Sequence, residues 1–390
     1  MHHDPLYPAF SATEYERRYR EVRARMDRKG VATLLLYGRG SSPEIHYLSN
    51  WLTTSEAHLI FPAEGSPTLF IQLSNHLPNA KRMAVLEDVR FGGSSPTGSV
   101  DSLPRVIENL KERGVDRGRV GIVGGLPYQQ YLHLQGAFPQ VEWIDFSVEM
   151  RDQRQIKSAE EIDRMKIAAA MSDRSVAALA EHVRPGIREH VLAKIVEDAY
   201  LGEGGVNGIH FMITTSMRDP KGGVPQQYMS ERVVQKGDVL VVELSTNYWG
   251  YSGQILRTFS IGEDPTPEYQ KIHAAAVEAF ERVAAVVKDG TEVEAVLDAA
   301  EVVHQRGFTI YDDFLHGANQ LPPILRTRKT NRGAPPGFRF GKDMCLVIQP
   351  NVVTEDARAG VQFGEMLRVT ETGLEPLHNY PRKLIVCGKD

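Results

Sequence analysis

The 390-residue chain has only two cysteines, Cys345 and Cys387. A disulfide framework and a cysteine-ligated zinc site are therefore both excluded, and such sparing use fits a reducing compartment. No apolar run approaches the roughly 18 residues that a membrane span requires. The polar opening MHHDPLYPAF does not read as a signal peptide. A cytoplasmic protein with no membrane partner is expected. An excess of one charge is also missing: 45 Lys and Arg against 50 Asp and Glu leave a net −5. That balance gives no basic surface for nucleic acid. Hydrophobic residues at 42% and charged residues at 24% are ordinary for a globular chain. The length is enough for two domains, each with its own core.

Over residues 11–29 apolar side chains recur at helical spacing (Tyr15, Tyr19, Val22, Met26), and the run VATLLLYG that follows reads as a buried strand ending at Gly38. The short apolar runs EIHYLSN, AHLIFPAEGSPTLFIQ and RVGIVGG come next. Turns or helix-like segments such as PRVIENLKERG, closed by Gly114, separate them. Strands alternating with helices predict a small α/β domain over residues 1–154. Beyond it a charged connector gives way to a long helix, for which Ser158 and Glu161 supply a capping box. The second domain, 155–390, is predicted to hold a further helix in REHVLAKIVEDAYLGEG and a strand pair about Gly250. Helices over 267–289 and 293–307 follow, then strands in CLVIQPNVV and GEMLRVTETG. Two α–β–β passages suggest internal duplication.

The stretch KGDVLVVELSTNYWGYSGQILRTFSIG reads as a strand, a tight bend near Gly250 and a returning strand, a hairpin that brings Glu243 and Gln254 face to face. IKSAEEIDRMKIAAAMSD precedes it, and His316-Gly317, LVIQP, GEMLRVTETGLEPL and NYPRKLI follow in order. This ordered set resembles the creatinase/aminopeptidase P/methionine aminopeptidase superfamily, closely over 150–390 and loosely before. The resemblance implies an α/β (α+β) chain, with a pita-bread C-terminal domain of two pseudo-symmetric α–β halves after a smaller α/β domain. It also implies a homodimer in which the partner's N-terminal domain stands near the substrate pocket.

Carried over by position, the family's five metal-ligand places read Glu243, Gln254, His316, Gln349 and Glu365. Two carboxylates and two neutral amides would leave a pair of divalent cations under-neutralised, and amide oxygen is a weak ligand for transition metals. No metal and no other cofactor is therefore expected. One cation on Glu243, His316 and Glu365 is the alternative. Two histidines that serve the family's peptidases are also missing: the segment before the hairpin offers Gln226 and Gln227, and HGANQLPPILR has no second histidine.

What remains predicts metal-independent acid–base chemistry. Two neighbouring carboxyls cannot easily ionise together, so Glu243 is assigned as nucleophile or base and Glu365 as partner acid/base. His316 is assigned as proton carrier. Gln254, Gln349 and Gln226 would orient the substrate. Arg257, His210 and Trp51 are further candidates for substrate contact, with a core role as the competing reading for the last two. The basic run over 326–333 is a solvated loop or a lid that reads a carboxylate. Gly38-Arg39-Gly40 and Gly92-Gly93-Ser94-Ser95 lack the ending of a phosphate loop. The expected function is hydrolysis of a non-peptide C–N bond, amide or amidine, in a small polar or carboxylated metabolite. The alternatives are a single-metal Xaa-Pro dipeptidase-like enzyme or lyase, and an inactive pita-bread binding protein.

Overall fold

A computed structural model describes residues 4–93, 102–330 and 337–389. The chain divides into two units, 1–154 and 155–390. In the first, six strands line up in the order β4-β3-β2-β1-β5-β6. They are β1 (Val31–Gly38), β2 (Ala57–Pro62), β3 (Thr68–Ile71), β4 (Asp88–Phe91), β5 (Arg117–Val123) and β6 (Gln140–Asp145). β1 is central, antiparallel to β2 and parallel to β5. That position explains its near-continuous apolar run, because both of its faces are covered. The helix Ala12–Lys29 starts where the Ser11 hydroxyl accepts from the Glu14 amide, and it stops at Gly30 in the left-handed region (φ 63°). The EIHYLSN run is helical. Ser42 caps the helix Pro43–Ser49, proline fills its first turn, and Asn50 (φ 64°) ends it.

The second unit is built on a nine-stranded sheet with main path β12-β11-β13-β15-β9-β8-β7. Its members are β7 (Val206–Ser216), β8 (Asp238–Tyr248), β9 (Tyr251–Ile261), β11 (Leu315–Gly317), β12 (Leu321–Leu325), β13 (Cys345–Ile348) and β15 (Gly364–Val369), and β16 (Leu374–Pro376) and β17 (Ile385–Cys387) join β15 and β9. A separate pair is formed by β10 (Thr309–Ile310) and β14 (Val352–Val353). β8 and β9 are joined through Trp249 and Gly250, both at positive φ (47° and 82°), with Tyr248 paired to Tyr251. This is the type I′ geometry that matches strand twist.

Helices cover one side of this sheet. The helix Ala159–His182, opened by the Ser158/Glu161 capping box, and the helix Glu189–Asp198 contribute to the core that holds Leu240, Val242, Leu244, Ile255 and Phe259. The helices Pro267–Val286 and Val293–Ala300 share a second core with Leu315, Leu346, Ile348 and Leu367. Because Ile255 pairs with Glu365 and Glu365 with Ile348, these two apolar sets lie on one side of the continuous sheet. The other face carries Glu243 and Gln254 beside buried apolar side chains, Val239, Val241 and Leu256 among them.

Candidate active site

Residues paired directly across antiparallel strands point to one face, as do residues two apart on a strand. Glu243 pairs with Leu256, and Ser245 with Gln254. Glu243 and Gln254 thus share a face but meet diagonally, not directly opposite. Leu256 pairs with Gly364; Met366, two residues on, pairs with Val347, and Val347 pairs with His316. Gln349 lies two beyond Val347. The register therefore gathers Glu243, Gln254, His316, Gln349 and Gly364 on the face away from the helices.

An amide network joins them. Gln254 Nε2 donates to Glu243 Oε1 at 3.0 Å and to Gln349 Oε1 at 3.1 Å. Gln349 Nε2 donates to the Asp313 carbonyl at 3.2 Å and to its carboxylate at 3.1 Å. Gln362, 1% exposed, donates to Glu243 Oε2 at 3.4 Å and to the Tyr311 hydroxyl. Burial first, then the charges of Asp313 and Asp312, pushes the Glu243 carboxyl from 4.5 up to about 7. Burial also raises Asp313; nearby His316 opposes this and Asp312 adds to it. Tyr311 is held well above its ordinary value by burial and then by Glu243, so its hydroxyl stays protonated. His316 Nδ1–H donates to the Gly317 carbonyl at 2.7 Å, which leaves the lone pair of the neutral ring on Nε2. A carboxyl that gains and loses its proton near neutrality is suited to acid–base work.

Several expected site residues lie elsewhere. Glu365 points to the helix side. Arg257 Nη2 meets one of its oxygens at 2.8 Å and Arg382 Nη2 the other at 2.6 Å, so it is no proton-sharing partner for Glu243. The residue of β15 on the site face is Gly364, one position earlier, and a one-residue change of parity moves a side chain across the sheet. Arg257 is fully buried. It donates to Glu365 and to the carbonyls of Leu256, Gly364, Tyr380 and Pro381, which leaves it no role towards substrate. His210 pairs with Leu244 and so faces away from Glu243. Its Nε2 lies 3.2 Å from the Tyr200 hydroxyl, and burial lowers its pKa to about 4 despite nearby Glu197. Gln226 exchanges backbone hydrogen bonds with Met212 at the edge of the sheet while its side chain is exposed. Trp51 is 4% exposed inside the N-terminal unit, a core residue. In the basic run, Arg326 pairs with Asp312, Arg328 with Asp298 and Lys329 with Glu355, as a solvated loop would. Residues 331–333 of that run, like Ser94 and Ser95, lie outside the described residues.

Sequence reasoning missed Asp313, Gln362 and Tyr311. The available signals were the Asp312-Asp313 doublet just before His316, and the strand parity that puts Gln362 with Gly364.

Residues 163–371 match the family model for metallopeptidase family M24, and residues 18–156 match that for the creatinase/prolidase N-terminal domain. The chain belongs to family M24. An uncharacterized hydrolase/peptidase of Sinorhizobium fredii is 28% identical over 389 residues, covering 97% of both chains. A probable dipeptidase PepE of Mycobacterium tuberculosis is 30% identical over 248 residues, covering 61% of this chain and 62% of its own length. The crystal structure of a prolidase from Thermococcus sibiricus superimposes with a TM-score of 0.81 at 21% identity, over 97% of this chain and all of the other. The pita-bread architecture is thereby shown. These relatives are named for peptide bonds, and a Pyrococcus horikoshii relative, 22% identical over 362 residues (92% of this chain and 96% of its own length), is an Xaa-Pro dipeptidase. That overturns the expectation of a creatinase-like hydrolase of non-peptide C–N bonds and favours the dipeptidase-like alternative.

The family name implies metal, and the donor set is the test. The site carries Glu243, His316 and, beside Gln349, the Asp313 carboxylate, with amides at 254 and 349 and glycine at 364. Among the described residues no group of three or more His, Cys, Asp or Glu is placed to hold a metal ion. These donors do not fit a two-metal centre.

Proposed function

We propose that the chain is a hydrolase of short peptides of the Xaa-Pro dipeptide class, with Glu243 as its acid–base residue. The observation that carries the reading is a largely buried carboxyl, set among amide donors and titrating near neutrality, on the face that also carries Gln254, His316 and Gln349. The names of the relatives at 28% and 30% identity support the reaction class. Ionised Glu243 takes a proton from a water whose oxygen bonds to the scissile carbonyl carbon. It then returns that proton to the leaving nitrogen as the C–N bond breaks, giving an acid and an amine. The protonated Tyr311 hydroxyl is the neighbouring donor for the carbonyl oxygen as negative charge develops there.

The test is amine release from a panel of Xaa-Pro and other dipeptides, with and without added divalent cation. Turnover that falls roughly 100-fold or more in Glu243→Gln is expected for loss of a general acid–base. A wild-type chain that cleaves no dipeptide under either condition refutes the reading.

A further inference from the structure

We propose that Asp313, Gln349 and Gln254 form a positioning relay for Glu243, in which the Gln254 amide takes the place between acceptor oxygens that a cation would otherwise hold. The relay rests on the reading of Glu243 as the acid–base residue, and it gives that residue an organisation without a bridging ion.

The direction of the relay follows from which groups can donate. Asp313 offers two acceptors to Gln349, its backbone carbonyl and its carboxylate, at 3.2 and 3.1 Å. Both hydrogens of the Gln349 amide are used there, so its carbonyl oxygen must turn towards Gln254. Gln254 answers with its own NH2 group, one hydrogen to Gln349 Oε1 and one to Glu243 Oε1. Reversing either amide would set oxygen against oxygen at two contacts. One orientation of Glu243 is thereby selected from a fixed anchor two side chains away. Gln254 and Gln349 are 4% and 3% exposed, so water competes little for these bonds. Gln362 holds the other carboxyl oxygen from the opposite side.

The fifth place on the face cannot be refilled. A Cβ at Gly364 would stand 2.1 Å from the Ile348 carbonyl oxygen and 2.9 Å from Gln349 Cα, and φ there is +154°. A carboxylate at 364 would require β15 to move away from β13. Acidic residues at 254 and 349, together with Glu243 and His316, would supply four donors, enough for one cation and too few for two.

The experiment is divalent-metal uptake by the full chain, after chelation and return of Mn2+ or Zn2+, read as equivalents bound and as a shift in melting temperature. Wild type is expected to take up under about a tenth of an equivalent and to show no shift. The Gln254→Asp/Gln349→Glu double variant is expected to take up about one equivalent and to melt higher with the ion. Wild-type uptake near one equivalent overturns the proposal, and so does a folded double variant that binds none. Should the double variant not fold, the wild-type titration decides, with Asp313 variants as the second measurement. On whichever dipeptide is cleaved, Asp313→Leu is expected to lower kcat about 30-fold with KM within twofold, and Asp313→Asn, which keeps an acceptor for Gln349, to recover most of it. Equal losses in the two variants overturn the relay. If no dipeptide is cleaved, the functional reading fails while the metal titration still decides the relay.

Discussion

Glu243 and Glu365 show how environment separates two residues of one type. Glu365 has a guanidinium on each oxygen, whereas the donors to Glu243 are neutral amides and the charges that act on it are those of two aspartates. The first is a structural anchor and the second a titrating group. Glu365→Ala should therefore act on stability, because it leaves fully buried Arg257 without its counter-ion. A loss of about 3–5 kcal/mol is expected, measured by denaturant unfolding. Glu243→Gln should leave the unfolding midpoint at pH 5 close to wild type while removing turnover. A Glu365→Ala chain as stable as wild type would contradict this division of roles.

At the scale of elements, the strand-to-helix contact under β9 sets how the site is supported. Gly253 faces the helix Ala159–His182, and a Cβ there would stand 2.2 Å from the Ala169 amide nitrogen. The Ser172 hydroxyl of the same helix donates to the Gly253 carbonyl at 2.5 Å and accepts from the Thr246 amide at 3.0 Å. Gly253→Ala must push the helix off the hairpin that carries Glu243 and Gln254. A cost of about 3 kcal/mol is expected, with a lower kcat in the surviving fold, read by thermal unfolding and dipeptide turnover. Most of this framework was legible beforehand. The capping box at Ser158, the hairpin turn at Gly250 and the long apolar run of β1 are local signals whose chemistry dictates a single outcome. The strand Gly364–Val369 was misread for a physical reason. GEMLRV has one acidic residue, and its parity depends on its register with β13 and with β9, the latter more than 100 residues away, which no local pattern encodes. Asp313 escaped for the same reason, since its carboxylate matters only once Gln349 lies beside it.

For the whole molecule these buried groups combine into a pH dependence of stability whose sign can be worked out. Glu243 has a folded pKa near 7, above its ordinary 4.5. It contributes stability that is complete below about 4.5 and is lost as pH rises through 7, on the order of 2 kcal/mol once residual solvent screening is allowed for. His210, depressed by burial, and His273, depressed by burial and then by Arg257, both titrate near 4 in the fold against an ordinary 6.5. Each must gain a proton to unfold in acid, so each costs stability as pH falls from 6.5 towards 4, up to about 3 kcal/mol apiece and less for half-buried His273. Between 4.5 and 6.5 the two trends oppose each other, and two histidines outweigh one carboxyl. Stability should therefore rise from pH 4 to a maximum near 6.5 and decline modestly towards 8. Melting temperatures across that range test it in two arms. Glu243→Gln should abolish the decline on the alkaline side, and His273→Leu should flatten the acid limb. An alkaline decline that persists unchanged in Glu243→Gln would show that the carboxyl is already ionised at neutral pH, and the acid–base role assigned to it would fall with that result.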